Sequence, residues 1–443
     1  MSESCNSRHF SWLMKSCFPN PNDTKSLSQN TTLFHPQSIV NTHCATTTVS
    51  SLPDDLLLEC LSRVPSSSLP SLSLVCRRWA RLLHSPYFFD LRRRLCRLRN
   101  VIFAVSATDS GLYAASLCFQ NEGLWKVAFF LPYDAASFGN FHGLLSHARL
   151  CAVGPRIYII GTNATVRYDT WSGTVVARSA MIFPRQKFAT AVVSGKIYAT
   201  GGGSKTTAVE EYDPETDTWR VVSHAPRRRY GCIGASMEGV FYVIGGLKIG
   251  AAGDEPARAV PNAEAHVYAS SMDLYDVEAR TWLRSRALPG GGCVVAACAA
   301  AGHVYVLASH AVELSFWKFD ARRKSFGICK GSHSNSNSNS SGFGEWCRLK
   351  SPPLPLQIRL DSTLRFSCVG VEEKVVLVQL RRSGRSVREG LVLVYDSAGG
   401  DWSRGADLPE GTSKAPGIKI IVFVMAHNEE KAHRCPSWCS KGD

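Results

Sequence analysis

Apolar positions change their rhythm twice along this 443-residue chain. Up to about residue 48, Ser, Asn and Thr dominate and apolar residues follow no period, the composition of a disordered tail. Residues 49–95 adopt a helical spacing. Leu52-Pro53 opens a helix with Asp54 and Asp55 in its first turn, where acidic side chains suit the helix dipole. Leu56, Cys60 and Leu61 are expected to share a face, and Pro65 stops the run. A second helix holds Leu69, Leu72, Val75, Cys76 and Trp79. A third passes through Leu82 and Leu83 to Ser85-Pro86. The basic run Leu91 to Arg99 is expected to continue as a linker helix. From about residue 100 to 425 the period falls to two, in short apolar strands broken by glycines.

The strand-rich part repeats itself, and self-similarity at a fixed period signals stacked units. Aromatic-Asp dipeptides occur at Tyr168-Asp169, Tyr212-Asp213, Tyr275-Asp276, Phe319-Asp320 and Tyr395-Asp396, and two of the intervals between them are 44 residues. Trp219, Trp282 and Trp402 follow their Asp at one fixed spacing. Longer intervals are explained by insertions around Lys248 to Ala269, in the Ser/Asn run after His333, and near Arg381 to Arg388; Trp346 is then the repeat Trp of its unit. This yields units at 101–132, 148–184, 188–226, 230–289, 293–355 and 364–409, the first degenerate and centred on Trp125. Each is expected to be a four-stranded sheet. Gly201-Gly202 and Gly245-Gly246 end second strands where positive φ or close approach is needed. Small sheets arranged radially make a propeller, and Ile418 to Val424 is a candidate closing strand.

Two resemblances follow from these residues. Leu52-Pro53-Asp54-Asp55, Arg63-Val64-Pro65, Leu69 and Leu72, Val75-Cys76-Arg77-Arg78-Trp79 and Ser85-Pro86 together resemble the F-box. Ile197 to Gly202, Glu211 to Trp219 and Phe241 to Gly246 resemble kelch repeats. The whole chain resembles the plant F-box/kelch-repeat family. The implied fold is α plus all-β: a disordered tail (1–48), a helical F-box (49–95), a kelch β-propeller of about six four-stranded blades (100–425) and a poorly ordered tail (426–443). The resemblance implies a substrate-recognition subunit of an SCF-type ubiquitin ligase, with a Skp-type adaptor and a cullin as partners; Leu52, Pro53, Leu56, Leu69, Leu72, Val75 and Trp79 are expected to form the adaptor interface or its supporting core. The propeller is expected to hold a protein substrate. The alternatives are an adaptor that works outside a ligase, and an enzyme built on the propeller.

Charge adds a candidate for substrate recognition. The 50 Lys and Arg against 36 Asp and Glu leave a net charge of +14, which favours acidic partners. In a kelch blade the loops joining strands two and three emerge on the same face as those joining successive blades. Arg185, Lys187, Arg227, Arg228 and Arg229 fall in blade-to-blade loops, and Lys205, Lys248, Arg258, Arg381, Arg382, Arg385 and Arg388 in the others. They are expected to form an electropositive face for an acidic protein substrate.

Catalytic and metal signatures are missing. Gly201 to Lys205 lacks P-loop spacing and follows a repeat strand. His433, Cys435 and Cys439 have no partner pair at zinc-like spacing. Asp213, Asp276 and Asp396 occupy one repeat position, as hydrogen-bond acceptors at turns. No catalytic residue, metal or cofactor is expected, and neither nucleic acid nor membrane is an expected partner. The 16 cysteines are expected to be mostly free thiols in a reducing compartment, cytoplasm or nucleus.

Overall fold

The computed structural model describes residues 49–107, 111–118, 125–132, 147–170, 173–202, 206–248, 268–310, 313–322, 344–354, 364–383, 386–408 and 419–426. The expectations for both tails, the Ser/Asn run, Lys205, Arg258 and Arg385 lie outside these residues. The described chain divides into two units between Cys96 and Arg97.

The first unit is helical: α1 (Asp54–Ser62), α2 (Leu69–Ser73), α3 (Arg77–Leu83) and α4 (Pro86–Arg94). Pro53, with its φ preset, stands immediately before α1. The expected single helix from Leu69 to Trp79 is in fact two. Cys76 takes an extended backbone between α2 and α3, and its Sγ accepts from the Trp79 N–H at 3.5 Å. Ser85 caps α4 by accepting from Phe88 N. Leu57, Leu58 and Leu61 of α1 are buried with Leu69, Leu82, Leu83, Phe88 and Leu91. Leu56 and Cys60 fall on the outer side instead of sharing the Leu61 face, because the turn from 57 to 61 is the one that meets the core.

The basic run beginning at Leu91 is not a linker helix. Helix α4 ends at Arg94, Cys96 has φ of +53°, and a strand starts at Leu98. Within the run Arg92 is fully buried, donating to the carbonyls of Ser62 and Val64 and to Ser66 Oγ. Those carbonyls lie at the last residue of α1 and just beyond it, so Arg92 closes the exit of that helix.

The second unit contains six four-stranded antiparallel sheets. Five take their four strands in chain order, with inner strands Arg149–Val153, Ala189–Val193, Ile233–Met237, Cys293–Ala300 and Leu364–Val371. The remaining blade is composite. Lys419–Ala426 occupies its inner position and pairs antiparallel with Leu98–Ala107, followed by Gly111–Cys118 and Trp125–Pro132. Its degenerate repeat therefore has a simple cause: residues 101–132 supply only three strands. Each inner strand contacts those of the two adjacent blades, and the ring closes. We number the blades one to six from this composite one.

Both faces of a blade meet neighbours, so its strands are apolar without clean alternation; Val240 to Ile244 are all buried. The repeat residues have distinct tasks. Asp213, Asp276 and Asp396 accept turn N–H groups, from Glu215 at 3.0 Å, Glu278 at 3.1 Å and Ala398 at 2.9 Å. The repeat Trp packs against its Tyr with the rings tilted, at 5.0 Å between centroids for Tyr212 and Trp219. Its indole N–H then reaches the preceding blade: Trp219 donates to Ser179 O, Trp402 to Lys350 O, and Trp125 to Ala406 O across the ring closure. At Gly202, with φ of +68°, a Cβ would come within 2.3 Å of Gln186 O. The chain can pass there only without a side chain.

Candidate interaction surfaces

The helical unit has more apolar side chains than its core uses. Leu56 is 51% exposed, Val75 58% and Leu74 84%. Pro53 is also exposed, while Leu52, Leu72 and Trp79 are half-buried. Leu69 is buried, so it supports the module from within. Arg78 holds the start of α1 against α3, donating to Asp54 Oδ1 at 2.7 Å and to Leu52 O. The expected docking residues therefore separate into an outer set (Pro53, Leu56, Val75), an intermediate set (Leu52, Leu72, Trp79) and one core residue. Leu74 is an exposed apolar residue that the sequence reading omitted.

On the propeller, the expected basic face loses two members. Arg185 is fully buried. It donates Nε to Glu210 Oε2 at 2.8 Å, Nη1 to Gly201 O at 2.8 Å and Nη2 to Ala208 O at 2.8 Å. Glu210 also accepts the backbone N–H groups of Ile182 and Phe183. Arg229 repeats this clamp in blade four, on Asp273 Oδ2 at 2.8 Å and on Gly245 O at 2.8 Å. Each guanidinium bolts the loop entering a blade to that blade's second and third strands. A charge enclosed in this way is unavailable to a partner.

Other members remain outside. Arg227 is half-buried and held by Ser271 Oγ at 3.2 Å, above the Tyr268 ring. Lys187 is exposed, with Nζ 5.4 Å from the Tyr230 ring centroid. Tyr230 and Arg229 form a short ladder with Leu247 and Lys248, and Lys248 is exposed. Lys187 and Lys248 are thus brought together near Tyr230, with half-buried Arg228 next in sequence to this ladder. Arg381, Arg382 and Arg388 lie in the long hairpin formed by Lys374–Ser383 and Ser386–Asp396 of blade six. Among the described residues, no group of three His, Cys, Asp or Glu could hold a metal ion, and no helix is long and apolar enough to cross a membrane.

Comparison with known proteins gives matching results for both units. The F-box domain model matches residues 49–91, and the kelch motif model matches residues 184–225. The F-box/kelch-repeat protein At5g26960 of Arabidopsis thaliana is 60% identical over 430 residues, covering 94% of this chain and 98% of that relative. A second Arabidopsis relative, the F-box/kelch-repeat protein At1g67480, is 27% identical and covers 45% of this chain and 54% of its own length. The Arabidopsis F-box protein AFR is 30% identical over 40% of this chain and 50% of its own. A solved structure, that of YjhT, aligns with 60% of this chain and 84% of its own at TM-score 0.43 and 16% identity.

Proposed function

The chain belongs to the F-box/kelch-repeat family, and on that premise we propose that it is the substrate-recognition subunit of an SCF-type ubiquitin ligase. The observation that carries this reading is the unconsumed apolar surface of the helical unit. Leu57, Leu58 and Leu61 fill the core on one side of α1, whereas Leu56 at 51% and Val75 at 58% exposure leave apolar surface outside it. Exposed apolar side chains on so small a module suit a partner helix or groove. In this reading Pro53, Leu56 and Val75 meet a Skp-type adaptor, with Leu52, Leu72 and Trp79 behind them, and the adaptor brings the cullin.

The propeller then binds the substrate, and the chain performs no chemistry of its own. It raises the local concentration of substrate lysines near an enzyme supplied by the ligase. Lys187, Arg228 and Lys248 are the described cations through which an acidic substrate would be recognised. Cytoplasm and nucleus are the compartments in which such a ligase would act.

The test is a pull-down of the full chain from plant extract with the proteasome inhibited, beside a Leu56→Asp/Val75→Asp variant. Recovery of a Skp-type adaptor and cullin by the wild type alone supports the reading, and proteins retained by both forms become substrate candidates. If neither form recovers the adaptor, the ligase role is wrong and the propeller acts as a separate binding module.

A further inference from the structure

The blade repeat sets one position of an inner strand against the next blade, and at one interface that position pairs two thiols. Cys151 of blade two and Cys298 of blade five hold the same place, each opposite the tyrosine of its second strand, Tyr158 and Tyr305. In the following blade, the side chain that meets it comes from one residue before that place. For Cys151 it is Thr190, with Sγ 3.3 Å from Thr190 Oγ1, and Thr190 precedes Ala191, which faces Tyr198. For Cys298 it is Cys368, with the two Sγ atoms 3.0 Å apart. Cys368 precedes Val369, which faces Val376. Val376 stands at the tyrosine place of blade six, because Val375 before it pairs with Tyr395 as Val304 pairs with Phe319. The thiol contact is thus set by backbone register and not by the chance reach of a flexible side chain.

The two backbones hold it there. Two residues beyond Cys368, a Cβ at Gly370 would come within 2.1 Å of Ala299 O and 2.7 Å of Ala300 Cβ, so the inner strands of blades five and six run in contact beside the thiols. The thiols differ in access. Cys298 is buried in an apolar cluster with Ala296, Leu307, Val375 and Leu377, and half-buried Cys368 packs against that cluster. Burial raises the Cys298 thiol well above its ordinary value, and the neighbouring Cys368 adds to the effect. Cys298 therefore stays protonated inside, and Cys368 is the sulfur that an oxidant meets first.

We propose that Cys298 and Cys368 are a redox site, which an oxidant of the peroxide class converts into a disulfide linking blade five to blade six. The Cys368 sulfur takes one oxygen of the peroxide and becomes a sulfenic acid, its proton leaving in the first water. The Cys298 sulfur then attacks Cys368 and expels the sulfenic hydroxyl, which takes the Cys298 proton and departs as the second water. Two thiols lose two electrons, and the peroxide gains them. Closing the gap to a bond of about 2.05 Å takes about 1 Å of side-chain movement. The cysteines are 70 positions apart in sequence, and a cross-link over so long a loop removes much freedom from the unfolded chain. The site lies on blades five and six, away from Lys187 and Lys248, and it stands whether or not the chain works in a ligase.

The full chain, reduced and then freed of reductant, is treated with a small excess of hydrogen peroxide and quenched with an alkylating reagent. Non-reducing peptide mapping by mass spectrometry is expected to find the Cys298 and Cys368 peptides joined. Tm should rise by roughly 5 °C or more, and dithiothreitol should reverse both changes. Cys368→Ser should abolish the link and the rise. Cys298→Ser should do the same and leave Cys368 to be trapped as a sulfenic acid by dimedone. Cys347→Ser removes an exposed thiol of blade five and should leave both responses unchanged. The proposal is overturned if both cysteines are still alkylated after the exposed thiols have reacted, if either is linked instead to another cysteine, if Cys368 passes to a sulfinic acid with no linked peptide, or if the Tm rise survives Cys368→Ser.

Discussion

The helical unit and the propeller treat their odd residues in opposite ways. In the helical unit the surplus is apolar: Leu56, Leu74 and Val75 remain outside a core that is already full. In the propeller the surplus is charged: Arg185 and Arg229, on the segments that enter their blades, end up inside and wholly paired. An apolar residue points to a partner when its own element has no further room for it. A loop cation points to a partner only when the sheet register offers it no counter-ion. The register supplies Glu210 and Asp273, each three residues before the aromatic-Asp carboxylate of its blade.

The largest effect that separates the two regions is removal of a clamp. Arg229→Ala leaves Asp273 buried beside a vacated site and frees the carbonyl of Gly245. A loss of about 3–5 kcal/mol is expected, the cost of breaking a buried pair from one side. Arg185→Ala should behave alike. Chemical denaturation of the full chain measures both. A loss below about 1 kcal/mol, the ordinary value for exposed pairs, would return these arginines to the surface.

Next comes the ring closure. Trp125→Phe keeps an aromatic ring but removes the N–H that reaches Ala406 O from the first sequence unit to the last. Leaving that carbonyl unpaired is expected to cost about 1–3 kcal/mol. Trp402→Phe, on an exposed bond within consecutive blades, should cost less. Equal losses would show that closure carries no special weight.

These contrasts bear on what was legible in the chain. The Tyr-Asp and Trp spacing located six blades, because that spacing is the geometry of one strand pair and its turn. Trp346, read as the repeat Trp beyond an insertion, opens Trp346–Leu349, the outer strand of blade five. The burial of Arg185 and Arg229 was not legible from local pattern. Their partners lie one or two strands further on, and only the aligned repeats place Glu210 and Asp273 opposite them. The same aligned register exposes the exchange of Glu211 for Arg167, which a blade-by-blade search for matching residues passes over as mere divergence. In the helical unit, the Leu-Pro start and Pro65 were readable as helix boundaries. The break at Cys76 was not, since its cap uses a sulfur acceptor in place of the usual oxygen.

A smaller effect is pH-dependent. The Glu211 carboxyl is held below its ordinary value near 4.5 by Tyr198, Lys196 and Arg220, against the opposing effect of burial. A depressed folded value adds stability above the ordinary value, and that stability is lost as pH falls through the folded one. Acid titration of stability should therefore steepen below about pH 4.5, and Glu211→Gln should flatten that limb while leaving the alkaline side unchanged. Blade two carries Arg167 at this position, so Arg167→Gln should leave the acid limb as it is. If it flattens the limb equally, Glu211 is not the source of that limb.

The smallest stability effect carries the sharpest test of the opening contrast. Val75→Glu puts charge on a side chain that is 58% exposed and outside the module's core. Folding should change by no more than about 0.5 kcal/mol, while capture of a Skp-type adaptor is lost. Leu57→Ala is its counterpart from inside the same module, where deleting a buried side chain is expected to cost about 2–5 kcal/mol. If Val75→Glu unfolds the module as Leu57→Ala does, Val75 belongs to the fold and the outer apolar set is no docking surface. If it leaves folding intact and abolishes capture, exposure and function coincide on the same side chain.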